Sequence, residues 1–176
     1  MLASIVCLAA PGLARAEKFA LPSGTFEIEK PDSWQAAKDL YGMPLTLLGP
    51  SELGGRPVVS VTPTGKKNTT LDALSLKRSE NEYRAGREEW LKTREGEPVA
   101  FFGYRTERLG DVDAHAVGYR YRLGGTEFVE NSYFVPCRSQ LFHLKTLIRV
   151  PEGRSPAGET GENHEVRKIL GSFKCQ

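Results

Sequence analysis

The residues with the widest chemical range are His115, Tyr119, Glu130, Ser132, His143 and Lys145, all within one 31-residue stretch of the chain. Two imidazoles near a carboxylate are part of a zinc donor set, although a third ligand is not defined by spacing. A serine beside a histidine is the start of a nucleophile and base pair. Neither reading comes with its usual motif. Ser132 lies in no Gly-x-Ser-x-Gly elbow, and three cysteines and three histidines are too few and too scattered for a zinc module. Asp111 and Asp113 share a turn, where acids serve solubility and hairpin geometry. No catalytic residue and no cofactor is therefore assigned; the six residues are candidate ligand contacts, with the metal unspecified.

Such residues act together only if strands align them. From Val99 the pattern is one of successive strands: Val99 to Thr106, Asp113 to Leu123, Thr126 to Cys137 and Leu141 to Val150. Gly124-Gly125 is a two-residue hairpin signal, and Arg138-Ser139 is a second tight turn, so these strands form an antiparallel meander. The two turns fix a register in which Phe128 faces Tyr121 and Arg149, while Phe134 faces His115 and His143. One face of the sheet then carries the six candidates with Tyr121, Arg149, Val117, Phe128, Phe134 and Leu147. His115 and His143 stand two strands apart, about 9.6 Å at the backbone, with Phe134 between them. Lys145 and Glu130 form a diagonal pair. The other face holds Ala114, Ala116, Gly118, Val129, Tyr133, Val135, Phe142, Leu144 and Ile148, apolar and with small residues where a helix backbone can approach.

Upstream, Phe19 to Ser23 leads into Thr25–Glu29, where Phe26 and Ile28 alternate with charge as in a half-buried strand, ended by Pro31-Asp32-Ser33-Trp34. Pro44 to Leu48 and Pro57 to Thr62 are two further short strands, separated by a turn at Gly54-Gly55. After a polar loop from Thr64 to Asn68, Thr69 or Thr70 caps a long helix with Asp72 in its first turn. Leu71, Leu74, Arg78, Tyr83, Trp90 and Leu91 make its stripe, Gly86 weakens its middle, and it stops near Gly96-Glu97-Pro98. The charged run Lys77 to Glu89 reads as its solvated face, and Trp34 and Trp90 read as core anchors. A Gly/Pro-rich loop, Pro151 to Gly161, precedes a short amphipathic helix over Glu162 to Phe173, with Val166, Ile169, Leu170 and Phe173 on one face.

The length of 176 residues gives one domain, and 39% hydrophobic with 26% charged residues describes a folding chain. With 24 basic and 22 acidic residues and no block of like charge, nucleic acid is not the expected partner, and Arg120 and Arg122 read as paired or solvated. Leu2 to Ala10 has the length of a signal-peptide apolar region, and Ala14-Arg15-Ala16 offers small residues for cleavage after Ala16. The alternatives are a buried N-terminal element, or lipidation at Cys7. Removing residues 1–16 takes the basic count from 24 to 23 by the loss of Arg15 and leaves a 17–176 domain with two cysteines, Cys137 and Cys175. In an oxidising compartment these pair and staple the last helix to the apolar sheet face; two separate thiols are the alternative.

The opening strand followed by Pro31-Asp32-Ser33-Trp34, the strand ending Val58-Val59-Ser60-Val61, the central helix, the aromatic hairpin Phe128 to Phe142 and the last helix together resemble the PsbP-like/Mog-type superfamily over most of residues 24 to 174. That resemblance implies a single α+β domain, an α/β/α sandwich with an antiparallel sheet between helices, and a binding or assembly role without family catalytic residues to transfer. The function expected first is an exported, non-catalytic binding or assembly protein of the cell envelope, periplasmic or secreted. It would act through a protein or envelope component and meet the membrane only transiently, through export. The second expectation is a small-ligand or metal-binding protein using the His115/His143 face, and the third an extracytoplasmic hydrolase.

Overall fold

The computed structural model describes residues 17–19, 26–51, 55–67, 73–138, 140–151 and 163–176. The expected signal segment with Cys7, the caps Thr69 and Thr70 with Asp72, the turn residues Gly54 and Ser139, and all but the first residue of the Pro151 to Gly161 loop lie outside them.

The alternating apolar residues of the second half build β6 (Glu97–Leu109), β7 (Val112–Leu123), β8 (Thr126–Cys137) and β9 (Gln140–Val150). They form one seven-stranded antiparallel sheet with β3 (Gln35–Leu40), β4 (Met43–Leu48) and β5 (Val58–Lys67), in the order β3-β4-β5-β9-β8-β7-β6. The meander register is the one the turns imply: Phe128 pairs with Tyr121 and Arg149, and Phe134 with His115 and His143. A second sheet holds β1 (Glu17–Phe19), β2 (Phe26–Lys30) and β10 (Lys174–Cys175), with β2 in the middle.

This corrects the sequence reading in several places. The strand through Phe26 and Ile28 belongs to the small sheet, and the chain after Trp34 is a strand, β3, which was not foreseen. Gln35–Leu40 has no apolar alternation because it is an edge strand with both faces largely solvated. β10 was missed because two residues carry no periodicity. β6 starts at Glu97 and runs through Pro98, which an edge strand tolerates. Its register shifts twice, between Pro98 and Ala100 and between Phe102 and Arg105.

The apolar face of the large sheet packs against α2 (His164–Gly171) and β2. Ala114, Ala116, Tyr133, Val135, Phe142 and Leu144 form one buried cluster with Phe26, Ile28, Trp34, Val166, Ile169, Leu170 and Phe173. Phe26 stacks on Phe173 and meets Phe142 edge-on. α2 is shorter than the expected Glu162 to Phe173. Asn163 caps it by accepting from the Val166 backbone N–H at 2.9 Å, and Ser172 ends it. The Pro31 to Trp34 turn aims Trp34 inward, where its indole N–H donates to Glu165 Oε2 at 2.9 Å. The buried Lys30 ammonium closes that turn by donating to the Trp34 and Pro31 carbonyls. Cys137 and Cys175 form a disulfide with Cα atoms 5.4 Å apart, fixing β10 to the end of β8. The close backbone approach is not at Gly118, where an added Cβ would meet Asn131 and Phe102. It is at Gly110, where a Cβ would lie 1.8 Å from the Phe173 carbonyl oxygen.

α1 (Ala73–Lys92) lies against β6 and β7 and ends a few residues before Gly96. The chain turns out of it as the Gly96 N–H donates back to the Leu91 carbonyl. Among the described residues two helices and two sheets make this α+β, with the small sheet and α2 together covering one side of the large sheet rather than a helix layer alone. Among the described residues no helix is long and apolar enough to cross a membrane.

Candidate binding face

The face bearing His115 is divided by α1 into three zones. At the C-terminal end of α1 the contact is apolar: Leu91, Tyr119 and Tyr121 are buried, with Trp90, Phe101, Phe128 and Leu147 around them. Trp90 meets Tyr121 edge-on at 5.8 Å, and the Arg87 and Arg94 guanidinium carbons each lie 4.6 Å from the Trp90 ring centre. Trp90 is thus half-buried under two arginines, whereas Trp34 is a full core anchor.

The middle zone is polar. Glu130, 4% exposed, accepts from Arg87 Nη2 at 2.7 Å and lies 2.9 Å from Lys145 Nζ through the same oxygen. The expected diagonal pair is therefore part of a triad to which α1 adds the second cation. Ser132 is 3% exposed, opposite Lys145 and close to Tyr83 of α1. Burial raises the Tyr83 phenol pKa, while proximity to Ser132 partly offsets it. Burial also pushes the Tyr121 phenol up to about 12 and raises that of Tyr119, so all three phenols are neutral in ordinary solution.

In the third zone His115 and His143 sit on opposite sides of Phe134, as the register requires. His143 stacks on Phe134 with ring centres 5.0 Å apart and planes 9° apart. Burial, and then the charge of Lys145, depresses the His143 pKa and favours neutral imidazole. His115 stacks on Tyr104, with Nδ1 hydrogen-bonded to the Tyr104 hydroxyl. A cation held by both imidazoles would require Phe134 to leave the space between them. Among the described residues no group of three or more His, Cys, Asp or Glu side chains is placed to hold a metal.

What positions α1 is a feature of β6 that the sequence did not advertise. At the second register shift the Tyr104 N–H is released from the ladder and donates to Glu80 Oε2 at 3.0 Å, beside Gly103, where a Cβ would crowd that carboxylate. On the opposite sheet face a second polar network was missed. Arg105 and Arg167 both bind Glu107, joining β6 to α2, and Arg105 Nη2 donates at 3.0 Å to the fully buried Asn131. A lone Asn in the apolar register of β8 was the available signal. Arg120 and Arg122 pair with Glu127, and Arg122 also with Glu97.

This arrangement of an antiparallel sheet, a helix on its polar face and a C-terminal helix on its apolar face is a PsbP-like fold. The chain is similar to cyanobacterial PsbP (CyanoP) from Synechocystis, with a TM-score of 0.55 and 12% identity over 99% of each chain. It is also similar to LpqN of Mycobacterium tuberculosis, described as involved in cell envelope biogenesis, with a TM-score of 0.53, 15% identity, and 85% of this chain and 82% of that one covered. A Bacteroides thetaiotaomicron structure matches with a TM-score of 0.51 and 14% identity over 92% of this chain, which spans only 48% of that one. No family model matches the sequence, and no curated protein does.

Proposed function

We propose that this chain is a periplasmic or secreted, non-catalytic binding or assembly protein that acts on a protein partner in the cell envelope. The observation that carries this reading is the condition of the polar face. Its buried carboxylate is neutralised by Arg87 and Lys145, and its serine lies under α1, so the groups that could do chemistry are used in holding the helix on the sheet. The Cys137–Cys175 bond suits an oxidising compartment. The likeness of fold to an envelope-biogenesis protein points the same way, and in this reading residues 1–16 are the export signal. The test is fractionation of the source cells with crosslinking. The protein is expected outside the cytoplasm, oxidised at Cys137 and Cys175, and joined to another protein; a reduced, cytoplasmic monomer would refute it.

A second reading rests on a separate observation. His143 Nε2 is buried without a hydrogen-bond partner, near Lys145 and diagonal to Ser132. A buried polar atom left this way is a place for a small polar ligand, here an anion beside the Lys145 ammonium. NMR titration with acetate should then shift the His143 ring signals, with neutral acetamide inert. Equal or absent shifts eliminate the reading.

A further inference from the structure

The turn between β3 and β4 closes the Leu40–Met43 pair with two residues, Tyr41 at φ 51° and Gly42 at φ 76°. Two left-handed central residues make a type I′ turn, for which Asn-Gly, Asp-Gly and Gly-Gly are the favoured sequences. The corresponding turn between β7 and β8 obeys this, with Gly124 at φ 55° and Gly125 at φ 75°. Tyrosine at the first position brings a Cβ into a region that resists it. Its ring is also 92% exposed, against 40% for Val99, the other exposed large hydrophobic among the described residues. Tyr41 is thus unfavourable for its turn, unfavourable for its solvent, and packed against little inside the fold. Strain without an internal return is characteristic of recognition sites, and tyrosine is among the residues that anchor interfaces.

Its neighbourhood is basic. Because Leu45 pairs with Val61, the Gly65–Lys67 end of β5 runs past the Tyr41-Gly42 turn. Lys67 in turn pairs with Gln140 at the β8–β9 turn, where Arg138 is exposed at φ 47°. The two turns are three strand spacings apart, about 14 Å. Lys38 is exposed on β3 itself. Lys38 and Arg138 therefore share this end of the sheet, with Asp39 as the acid beside them.

We propose that this sheet end is the docking surface for the protein partner, which presents an apolar socket for the Tyr41 ring rimmed by carboxylates. The proposal rests on the partner-binding reading above and adds the face and the chemistry. Opposite charge steers the encounter, and the desolvated ring holds the complex.

The experiment is zero-length carbodiimide crosslinking of the full chain in an envelope preparation, with mass spectrometry locating the joined residues. Expected are bonds from the exposed Lys38 to Asp or Glu of a second protein. Their yield should fall at least about tenfold in Tyr41→Asn and be suppressed by high salt. Tyr41→Asn creates Asn-Gly, so the variant should melt no lower than the parent and about 2 °C higher if the strain is real. Crosslinks from other faces of this chain, unchanged by Tyr41→Asn, would overturn this surface while leaving partner binding intact. Bonds between two copies of the chain, or Tyr41-dependent binding to phosphatidylglycerol vesicles without any protein crosslink, would overturn it in favour of self-association or a lipid surface. Finding no crosslinked protein at all would overturn both readings.

Discussion

Removing the disulfide should have a large effect whose size can be worked out. Cys137 and Cys175 are 38 residues apart in sequence, and in the chain-entropy model a crosslink closing a loop of that length destabilises the denatured ensemble by about 4 kcal/mol. For a domain of this size 1 kcal/mol moves Tm by roughly 2–4 °C, so the loss should be about 8–16 °C. The variant is Cys137→Ala with Cys175→Ala, because Cys137 is 1% exposed and a serine hydroxyl there would be buried among carbon. The assay is urea unfolding followed by tryptophan fluorescence, since Trp34 reports the α2 side of the sheet and Trp90 the α1 side. The midpoint should fall, and the urea dependence should steepen because the uncrosslinked denatured chain exposes more surface. The Trp34 signal should change first, because the bond pins β10, and through it Phe173, against Phe26. A loss of less than about 1 kcal/mol with unchanged slope would refute the reasoning, showing that the link does not restrict the denatured chain.

Other outcomes follow from contacts described above. Gly110→Ala should destabilise by about 3 kcal/mol or more, since it adds a Cβ–carbonyl clash to left-handed strain; Gly124→Ala, at the same φ of 55° with open space around it, should lose only about 1–2 kcal/mol, and equal losses in thermal melts would remove the clash argument. Glu107 is pushed up by burial, but hydrogen bonds and charge from Arg105 and Arg167 together hold its pKa below the usual carboxylate value. Its contribution is therefore complete above pH 4.5 and is lost as pH falls through the lower folded value, so Glu107→Gln should flatten that part of the stability–pH curve. His143, with its pKa depressed, should make stability fall as pH drops below 6.5, where the unfolded chain protonates first; His143→Phe should abolish that slope, and an unchanged slope counts against it. A double-mutant cycle on Arg87→Met and Glu130→Gln should give coupling above about 1 kcal/mol, and zero coupling would mean that α1 is not held by that pair.

The parts of this fold legible in the sequence are those where hydrophobic alternation and turn chemistry coincide. Gly124-Gly125 between two alternating runs was enough to place Phe128 opposite Tyr121, and a tight turn at Arg138-Ser139 to place Phe134 opposite His143. Val166, Ile169 and Leu170 declared the buried face of α2 by helical spacing. β3 was hidden because Gln35, Ala36, Lys38 and Asp39 are exposed on an edge, and solvent imposes no pattern. The division into two sheets was hidden because β2 reads as a half-buried strand in either setting. For the polar face, the register brought Glu130 and Lys145 together, but nothing local to those strands says that Arg87, 43 residues away from Glu130, completes the triad. Long-range polar partners have no period.

The small sheet has a consequence for the order in which the molecule can assemble. β2 is paired by β1 next to it in sequence and by β10 at the other end of the chain, and its Glu29 N–H donates to the Ser172 hydroxyl across 143 residues. The meander needs only hairpin closures, whereas this clasp requires the longest loop in the protein, whose ordering entropy is met only after the large sheet exists. The expected order is therefore the meander first and the β1-β2-β10 clasp last, which pulse-labelled hydrogen exchange would check by late protection of Ile28 and Glu29. Until Phe173 arrives, the apolar side of the large sheet lacks part of its cover, so a chain stopped short of its last few residues would be a built sheet with an open core.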